Sequence, residues 1–198
     1  LVRGPPRDKP AGKEAPGVVC PGTSATSTSD GASCNYVARR FGVRNGMSLQ
    51  RAQALCPGVR TLPYAFEAYR ATSRQFYEAL VHVADAIQVV SVDEALLDMS
   101  HALPALLRGD GHPLADRFDA HKHLGVAALG EAVRDLIRSA TQCEASVGIG
   151  ANILQARLAT RLAKPSGTHV LDVACLRSMD VQDLWGIGAG LRERCEAW

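Results

Sequence analysis

The strongest constraint on the fold is the stretch VVSVDEALLDMS, residues 89 to 100, in which two apolar runs enclose adjacent carboxylates. The β-branched AIQVVSV predicts a strand, and ALLDMS predicts its partner. Neighbouring residues of a flat strand point to opposite faces. Asp93 and Glu94 can therefore serve one site only at a hairpin apex or a bulge. Charges beside an apolar strand are costly unless something uses them.

Two adjacent carboxylates at such a bend can bind a divalent cation. Mg²⁺ prefers oxygen ligands and is usually held by one or two carboxylates together with substrate phosphates. A pair of such ions stabilises the attacking and leaving oxygens in phosphoryl transfer. The alternative is a polar hairpin turn, although no Gly or Asn marks a turn here. A metal-dependent phosphohydrolase unrelated to DNA also fits these two residues.

Two groups of basic residues are candidates for binding phosphate. In the predicted helix NILQARLATRLA, Arg157, Arg161 and the following Lys164 share one face, which suits a polyphosphate beside a metal site. A solvated face is the alternative. The second group consists of four arginines near Tyr36, and surface solvation explains it equally well. Its members are Arg39, Arg40, Arg44 and Arg51.

The tripeptide Gly-Ile-Gly occurs twice, at 148–150 and at 186–188. Neither copy completes Gly-x-Gly-x-x-Gly, because Ile153 and Leu191 stand where the third glycine belongs, so a dinucleotide fold is poorly supported. The glycines of 186–190 can let backbone N–H groups approach a nucleic-acid phosphate. A plain helix-helix turn is the equal alternative.

Composition excludes some classes of protein. The chain has 198 residues, of which 46% are hydrophobic, a composition typical of a globular protein. Its net charge of +2 argues neither for nor against nucleic-acid binding. No apolar run approaches the roughly 18 residues of a membrane span, and no signal peptide opens the sequence. The six cysteines form no Cys-x-x-Cys pair, which argues against structural zinc.

Strands and helices mix without strict β-α-β alternation, which predicts an α+β fold. Helices are predicted over parts of 35–55, over 66–84 with an apolar stripe facing a core, over 131–142 and over 152–163. A helix-turn-helix is predicted at 181–198. Residues 101 to 125 hold four His, two Pro and little periodicity, and are predicted to form a loop insertion.

Taken in order, these segments resemble the Y family of translesion DNA polymerases, of the UmuC and DinB type. SCNYVARRFGVRNGMSLQRAQALCPGV is similar to that family's fingers, with YVAR in place of its Tyr-Glu-Ala-Arg motif. VVSVDEALLDMS is similar to its palm hairpin, ASVGIGANILQARLATRLAKPSG to its palm strand and helix, and LWGIGAGL to the start of its thumb. ASCNY, RNGM and QALCPGV most resemble the eukaryotic deoxycytidyl transferase subfamily.

The resemblance implies an α+β fold built as a partial polymerase palm, a mixed sheet with helices, joined to small helical fingers and the start of a helical thumb. It implies a fingers-like subdomain at 17–63, whereas the segment 1–16 before it is predicted to be disordered from its Pro- and Gly-rich composition. The palm-like subdomain covers 64–172, with the loop insertion at 101–125. The thumb starts at 173–198.

The resemblance also implies the reaction, in which a primer 3′-OH attacks the α-phosphate of a dNTP opposite damaged template and pyrophosphate is released. The deoxynucleotide transferred is dCMP in one reading. Asp93 would bind catalytic Mg²⁺, and Glu94 would complete the site near the primer terminus. The partners would be primer-template DNA and dNTP. Other translesion polymerases or a sliding clamp would bind through regions outside this sequence, and no membrane is involved. The protein would be nuclear in a eukaryote, or associated with the nucleoid in a bacterium.

The remaining implied contacts involve the nucleotide and the DNA. Tyr36 and Arg39 would contact the incoming triphosphate from the fingers, and Lys164 would contact it from the palm. Gly186 and Gly188 would lie near a DNA phosphate in the thumb.

The sequence departs from the family pattern in two places. No Asp-x-Asp-x-Phe-Phe stretch precedes Tyr36, and Val37 replaces the Glu of the fingers motif. The sequence begins at Leu1 and stops inside a predicted helix, so we expect a fragment whose two-ion site is incomplete. The isolated chain is then predicted to be inactive or nearly so. The alternative is a non-catalytic degenerate copy, or a scaffold that binds DNA or repair proteins.

Overall fold

The structure is a computed structural model that describes residues 15–21, 30–119, 125–180, 183–184, 187 and 189–196. It divides into two compact units, Leu1–Phe66 and Glu67–Trp198. Helices and strands mix in both units, which confirms the α+β prediction. Within the described ranges, none of the helices is long and apolar enough to cross a bilayer.

The first unit is a small sheet covered by two short helices. Strand β1 (Gly17–Val19) pairs antiparallel with β2 (Ser33–Cys34) and parallel with β3 (Arg60–Leu62). Helices α1 (Tyr36–Arg40) and α2 (Leu49–Leu55) begin at Asn35 and Ser48, whose side chains accept backbone N–H groups of the first turn. Buried side chains from β1, β2, α1 and α2 and from the adjoining loops form the core of this unit. They include Val18, Ala38, Val43, Ala52 and Cys56.

The second unit begins with a helix followed by a hairpin. Helix α3 (Phe66–Leu80) leads into β4 (Ala86–Val89), which pairs antiparallel with β5 (Ala95–Asp98). Helix α4 (Ala102–Arg108) and a 3-10 turn (Ala115–Arg117) follow. Asp85 holds the start of α4, because its Oδ2 accepts the N–H of His101 at 2.7 Å and that of Ala102 at 3.4 Å.

The remainder of the second unit is a parallel strand pair covered by two helices. Helix α5 (Val126–Thr141) precedes β6 (Val147–Ile149), and α6 (Ile153–Ala163) connects β6 to β7 (Thr168–Val170). Helices α7 (Val173–Arg177) and α8 (Ala189–Glu196) follow. One buried cluster joins α3, α4, α5 and the hairpin. Its members include Leu80, Leu106, Leu114, Val133 and Ile137.

Glycines allow α5 and α6 to approach the parallel strands closely. A Cβ at Gly148 would overlap the Thr160 backbone nitrogen and the Ala156 carbonyl oxygen, so α6 lies directly on β6. Gly130 of α5 meets Thr168 of β7 in the same way. The first Gly-Ile-Gly is therefore explained by helix-strand packing, which needs a residue without a Cβ.

Two predictions about elements are corrected. The loop insertion predicted over 101–125 contains helix α4, whose Leu106 is buried in the core together with Leu114. Pro104 made a helix look unfavourable, but it lies in the first turn, where its missing N–H costs little.

The stripe predicted to face a core along 66–84 does so only at its C-terminal end. Phe66 is 62% exposed and Tyr69 is 39% exposed, whereas Leu80 and Val83 are buried. The helix itself ends at Leu80. The predicted disordered segment 1–16 and the thumb glycines lie largely outside the described residues.

Candidate functional site

The adjacent carboxylates lie at the apex of the β4–β5 hairpin, as the sequence predicts. The last strand pair is Val89 with Ala95, and residues 90 to 94 form the connection. The backbone N–H groups of Val90 and Ser91 both donate to the Glu94 carbonyl, at 3.0 and 3.1 Å. This tight turn lets both carboxylates reach solvent from one end of the hairpin.

A tyrosine of α3 fastens this turn. The Tyr77 hydroxyl donates to the Glu94 carbonyl oxygen at 2.8 Å and also contacts the Ser91 carbonyl oxygen. Burial raises the pKa of Tyr77, and the negative charges of Asp93 and Glu94 raise it further, because both disfavour a phenolate. Tyr77 therefore stays a neutral donor at physiological pH and fixes the backbone that carries the carboxylates.

The two carboxylates have different partners. Asp93 Oδ1 accepts the Ser91 hydroxyl at 2.8 Å, within the turn itself. Glu94 Oε1 lies 3.4 Å from Nη2 of Arg157, which projects from α6. The hairpin apex and helix α6 thus meet through an ion pair, and Glu94 is drawn towards the basic stripe.

The basic stripe predicted on α6 is only partly available for a ligand. Arg157 pairs with Glu94, and Arg161 contacts the backbone carbonyl of Asp183 and its carboxylate, the latter at 3.1 Å. Lys164 ends the helix and is exposed.

Buried Arg134 of α5 holds the segment that follows Lys164. Its Nη2 donates to the Ser166 carbonyl at 2.7 Å, and its Nε donates to the Ala145 carbonyl at 3.0 Å. Glu131 and Glu144 neutralise the guanidinium, at 2.6 and 3.3 Å. The backbone beside Lys164 is thereby fixed, while its ammonium is left to solvent.

Tyr36 and Arg39 lie together on α1 in the first unit. The Arg39 guanidinium carbon is 5.2 Å from the centroid of the Tyr36 ring, within the range of a cation–π contact. Arg39 also donates to the Cys34 carbonyl at 3.1 Å and to the Asn45 side-chain oxygen at 3.4 Å. This orients the guanidinium and leaves the exposed Tyr36 ring beside it.

The predicted residues therefore fall into two groups: Tyr36 with Arg39 in the first unit, and Asp93, Glu94 and Lys164 in the second. Gly186 and Gly188 lie outside the described residues.

A family model described as IMS, the impB/mucB/samB family, matches residues 7–161. The chain belongs to this family. The resemblance to Y-family translesion polymerases is confirmed by relatives and by solved structures. The chain is 40% identical over 168 residues to the DNA repair protein rev1 of Schizosaccharomyces pombe, covering 82% of this chain and 16% of that protein.

The Arabidopsis thaliana DNA repair protein REV1 is 35% identical over 185 residues, which cover 91% of this chain and 15% of the relative. Among solved structures, a Y-family DNA polymerase chimera of Dbh and Dpo4 superposes with a TM-score of 0.75 at 27% identity, covering 93% of this chain and 51% of the polymerase. This impB/mucB/samB chain thus spans about a sixth of the Rev1 relatives and half of the polymerase structure.

Two residues of this impB/mucB/samB chain shape the site without being predicted from the sequence. Tyr77 lies 17 residues from Glu94, and Arg134 lies 32 residues from Ser166. A tyrosine in the last turns of a helix that precedes an acidic hairpin is a usable signal, because a partly buried phenol usually finds a hydrogen-bond acceptor. No comparable signal marks Arg134, whose partners include backbone carbonyls.

Asp93 and Glu94 fit a cation whose other ligands come from a bound substrate and from water. Asp93 and Glu94 supply exposed carboxylate oxygens, the ligand type that Mg²⁺ prefers, and Mg²⁺ sites are often completed by phosphates and water. Across the described ranges, no group of three or more His, Cys, Asp or Glu comes together. The two carboxylates therefore fit part of a Mg²⁺ site, with the remaining ligands supplied from elsewhere.

Proposed function

We propose that this chain forms the central part of a translesion DNA polymerase, which transfers a deoxynucleotide from a dNTP to a primer 3′-OH opposite damaged template. The observation that carries the proposal is the pair of exposed carboxylates at the β4–β5 apex. Family membership and the Rev1 relatives support the same reaction class. With Rev1 as the model, we expect dCMP to be transferred from dCTP to the primer opposite an abasic template, with release of pyrophosphate, and the nucleus is the expected location.

In this proposal, Asp93 and Glu94 are the residues that would hold Mg²⁺, and the phosphates of the incoming nucleotide would complete the ligand set. The bound ion would neutralise charge that develops on the α-phosphate and on the leaving pyrophosphate. The primer oxygen forms a bond to the α-phosphorus as the bond to pyrophosphate breaks, and the 3′-OH proton leaves to solvent or to a nearby base. Protein groups mainly position the reactants.

The second unit contributes positioning as well as ligands. Tyr77 fixes the turn that carries both carboxylates, and Arg157 keeps Glu94 near helix α6. Arg157, which pairs with Glu94 here, would be placed to contact a phosphate oxygen if Glu94 were a cation ligand. Lys164, with its backbone fixed through Arg134, offers a positive charge to the triphosphate.

The first unit supplies the other nucleotide contacts in this proposal. Arg39 is oriented by the Cys34 carbonyl and by Asn45, and a planar guanidinium suits bidentate binding of phosphate. The Tyr36 ring beside it offers a surface for the sugar or the triphosphate.

Primer extension by the longer protein that contains this segment tests the proposal. Asp93→Asn and Glu94→Gln should each lower kcat by at least about 100-fold, because removal of one charge-stabilising group typically costs that much. The control is Asp98→Asn, since Asp98 is an exposed carboxylate of the same hairpin that hydrogen-bonds Ser100 instead. Supplying each dNTP singly on an abasic template tests whether dCTP is preferred. Equal losses in all three variants, or in none, would contradict the assignment.

A non-catalytic scaffold is the second candidate. It is favoured by Val37, which stands where the fingers motif has Glu. The coding sequence upstream of Leu1 separates the two candidates. An in-frame Asp-containing strand there supports the polymerase, and a stop codon or unrelated sequence supports the scaffold.

A further inference from the structure

Arg44 and Arg51, which stand on either side of the turn between α1 and α2, have no role in the proposed reaction. Among the described residues of the first unit, five arginines face one acidic residue, Asp30. None of these arginines is paired with a carboxylate in the part of the unit that the structure describes. The arginines are Arg39, Arg40, Arg44, Arg51 and Arg60. An excess of unpaired positive charge on one small unit attracts a polyanion, although the whole chain carries only +2.

Two of these arginines line a shallow concavity. Its walls are Arg44, Asn45, Gly46, Met47, Ser48 and Arg51. Arg44, Asn45, Gly46 and Arg51 are all exposed, so the polar groups and the backbone of the loop are open to a ligand. The space above Gly46 is open, because a Cβ placed there would meet nothing within 4 Å.

The loop that forms the concavity is held rigidly. Gly46 N–H donates to the Gly31 carbonyl, and Gly31 N–H donates to the Met47 carbonyl, both at 2.8 Å. Gly46 has a φ of 75°, which a glycine adopts without strain. On the two sides of the loop, Val43 and Leu49 are buried. The floor of the concavity is thus formed before any ligand arrives.

The Arg44 guanidinium is also oriented in advance. Its Nη1 lies 3.3 Å from the carbonyl oxygens of Arg39 and Val43, so one nitrogen is used for anchoring. None of the carboxylates that the structure describes forms an ion pair with Arg44. A planar guanidinium with free donors suits the oxygens of a phosphate group. Arg51, one turn into α2, adds a second charge on the same concavity.

We propose that the Arg44–Arg51 concavity binds a backbone phosphate of a DNA strand. The concavity adjoins the proposed nucleotide-binding pair Tyr36 and Arg39, because Asn45 lines it and also accepts from Arg39, but its charges come from different arginines. The proposal rests on the proposed function only for the choice of DNA as the polyanion. A DNA phosphodiester and a nucleotide triphosphate share the same phosphate chemistry, so the experiment must distinguish them.

The test is the salt dependence of oligonucleotide binding by the purified chain, measured by fluorescence anisotropy with a labelled single-stranded DNA. Each lost phosphate contact should reduce the slope of log K against log salt by about 0.7 for a single strand, which corresponds to about fivefold weaker binding at 0.1 M salt. We expect this change for Arg44→Gln and for Arg51→Gln. Arg60→Gln is the matched control, because Arg60 is an exposed arginine of the same unit outside the concavity.

Substitution of Asp30 should change the affinity for the oligonucleotide in the opposite direction. It bridges Ser48 through the backbone, so its negative charge lies next to the concavity. Asp30→Asn should therefore tighten binding of the oligonucleotide. Circular dichroism of each variant confirms that the fold is retained.

Three results would overturn the proposal. The first is absence of DNA binding by the unmodified chain, and the second is an equal loss in Arg60→Gln. The third is displacement of the oligonucleotide by a dNTP in the unmodified chain but not in Arg44→Gln, which would place a triphosphate here instead. Because binding is measured without catalysis, loss of polymerase activity and loss of this site are distinguishable.

Discussion

At the scale of single residues, Tyr77 controls the turn that carries Asp93 and Glu94. Replacing it with phenylalanine removes only the hydroxyl that donates to the Glu94 carbonyl. We expect Tyr77→Phe to destabilise the hairpin by about 1 kcal/mol, the net contribution of a typical hydrogen bond. Hydrogen exchange at the Val90 and Ser91 amides, which bond to the same carbonyl, should then be about fivefold faster.

The hydroxyl also gives this effect a pH dependence. The pKa of Tyr77 is raised in the folded chain, mainly by burial. Its stabilisation is therefore fully present below the unfolded pKa of about 10 and is lost as pH rises through the higher folded value. The difference in stability between the unmodified chain and Tyr77→Phe should shrink above pH 10. The control is Tyr64→Phe, because Tyr64 stacks on Phe66 with the ring centroids 5.0 Å apart. An equal loss of stability with the same pH dependence in Tyr64→Phe would refute the role of Tyr77.

At the scale of elements, the contact between α6 and β6 depends on Gly148. A side chain at this position would overlap the α6 backbone at Thr160 and Ala156, and neither group is the end of a flexible side chain. Gly148→Ala should therefore cost about 3 kcal/mol, at the upper end of the usual overpacking range. Urea unfolding followed by circular dichroism measures this loss.

The matched control for Gly148 is Gly190→Ala in α8 of the same unit. A Cβ at Gly190 meets nothing within 4 Å, and alanine is the better helix former. We expect this variant to be neutral or slightly more stable. If Gly148→Ala also left the free energy of unfolding unchanged, that result would contradict the close approach of α6 to β6.

Elements specified by short-range signals could be predicted from the sequence, whereas those specified by distant partners could not. The helix predicted over 152–163 is found as α6, and the Asn152 side chain caps it by accepting the N–H of Gln155, only three residues away. Helix α4 was missed because the group that holds its start, Asp85, lies 16 residues away from His101. The exposure of Phe66 likewise depends on which part of α3 the core covers, and periodicity alone carries no information about that.

The candidate site shows the same division. The adjacency of Asp93 and Glu94, and their position at a hairpin apex, follow from a local pattern and are confirmed. The pairing of Glu94 with Arg157 joins two elements separated by about a third of the chain. Arg157, which the sequence predicts as a phosphate-binding residue, is therefore already engaged by Glu94. The spacing of residues along one helix face cannot predict such a pairing with another element.

At the scale of the whole molecule, the described residues bring two carboxylates together where the proposed reaction needs a larger cluster. The 198-residue chain should therefore extend a primer at least about 100-fold more slowly than the longer protein that contains it, since charge neutralisation at the reacting phosphate supplies most of the catalysis. Gel-resolved extension of a labelled primer with Mg²⁺ and all four dNTPs measures the difference. The same preparation should still bind DNA through Arg44 and Arg51, which shows that a slow rate does not reflect misfolding. Robust extension by the chain alone, abolished by Asp93→Ala, would mean that two carboxylates suffice.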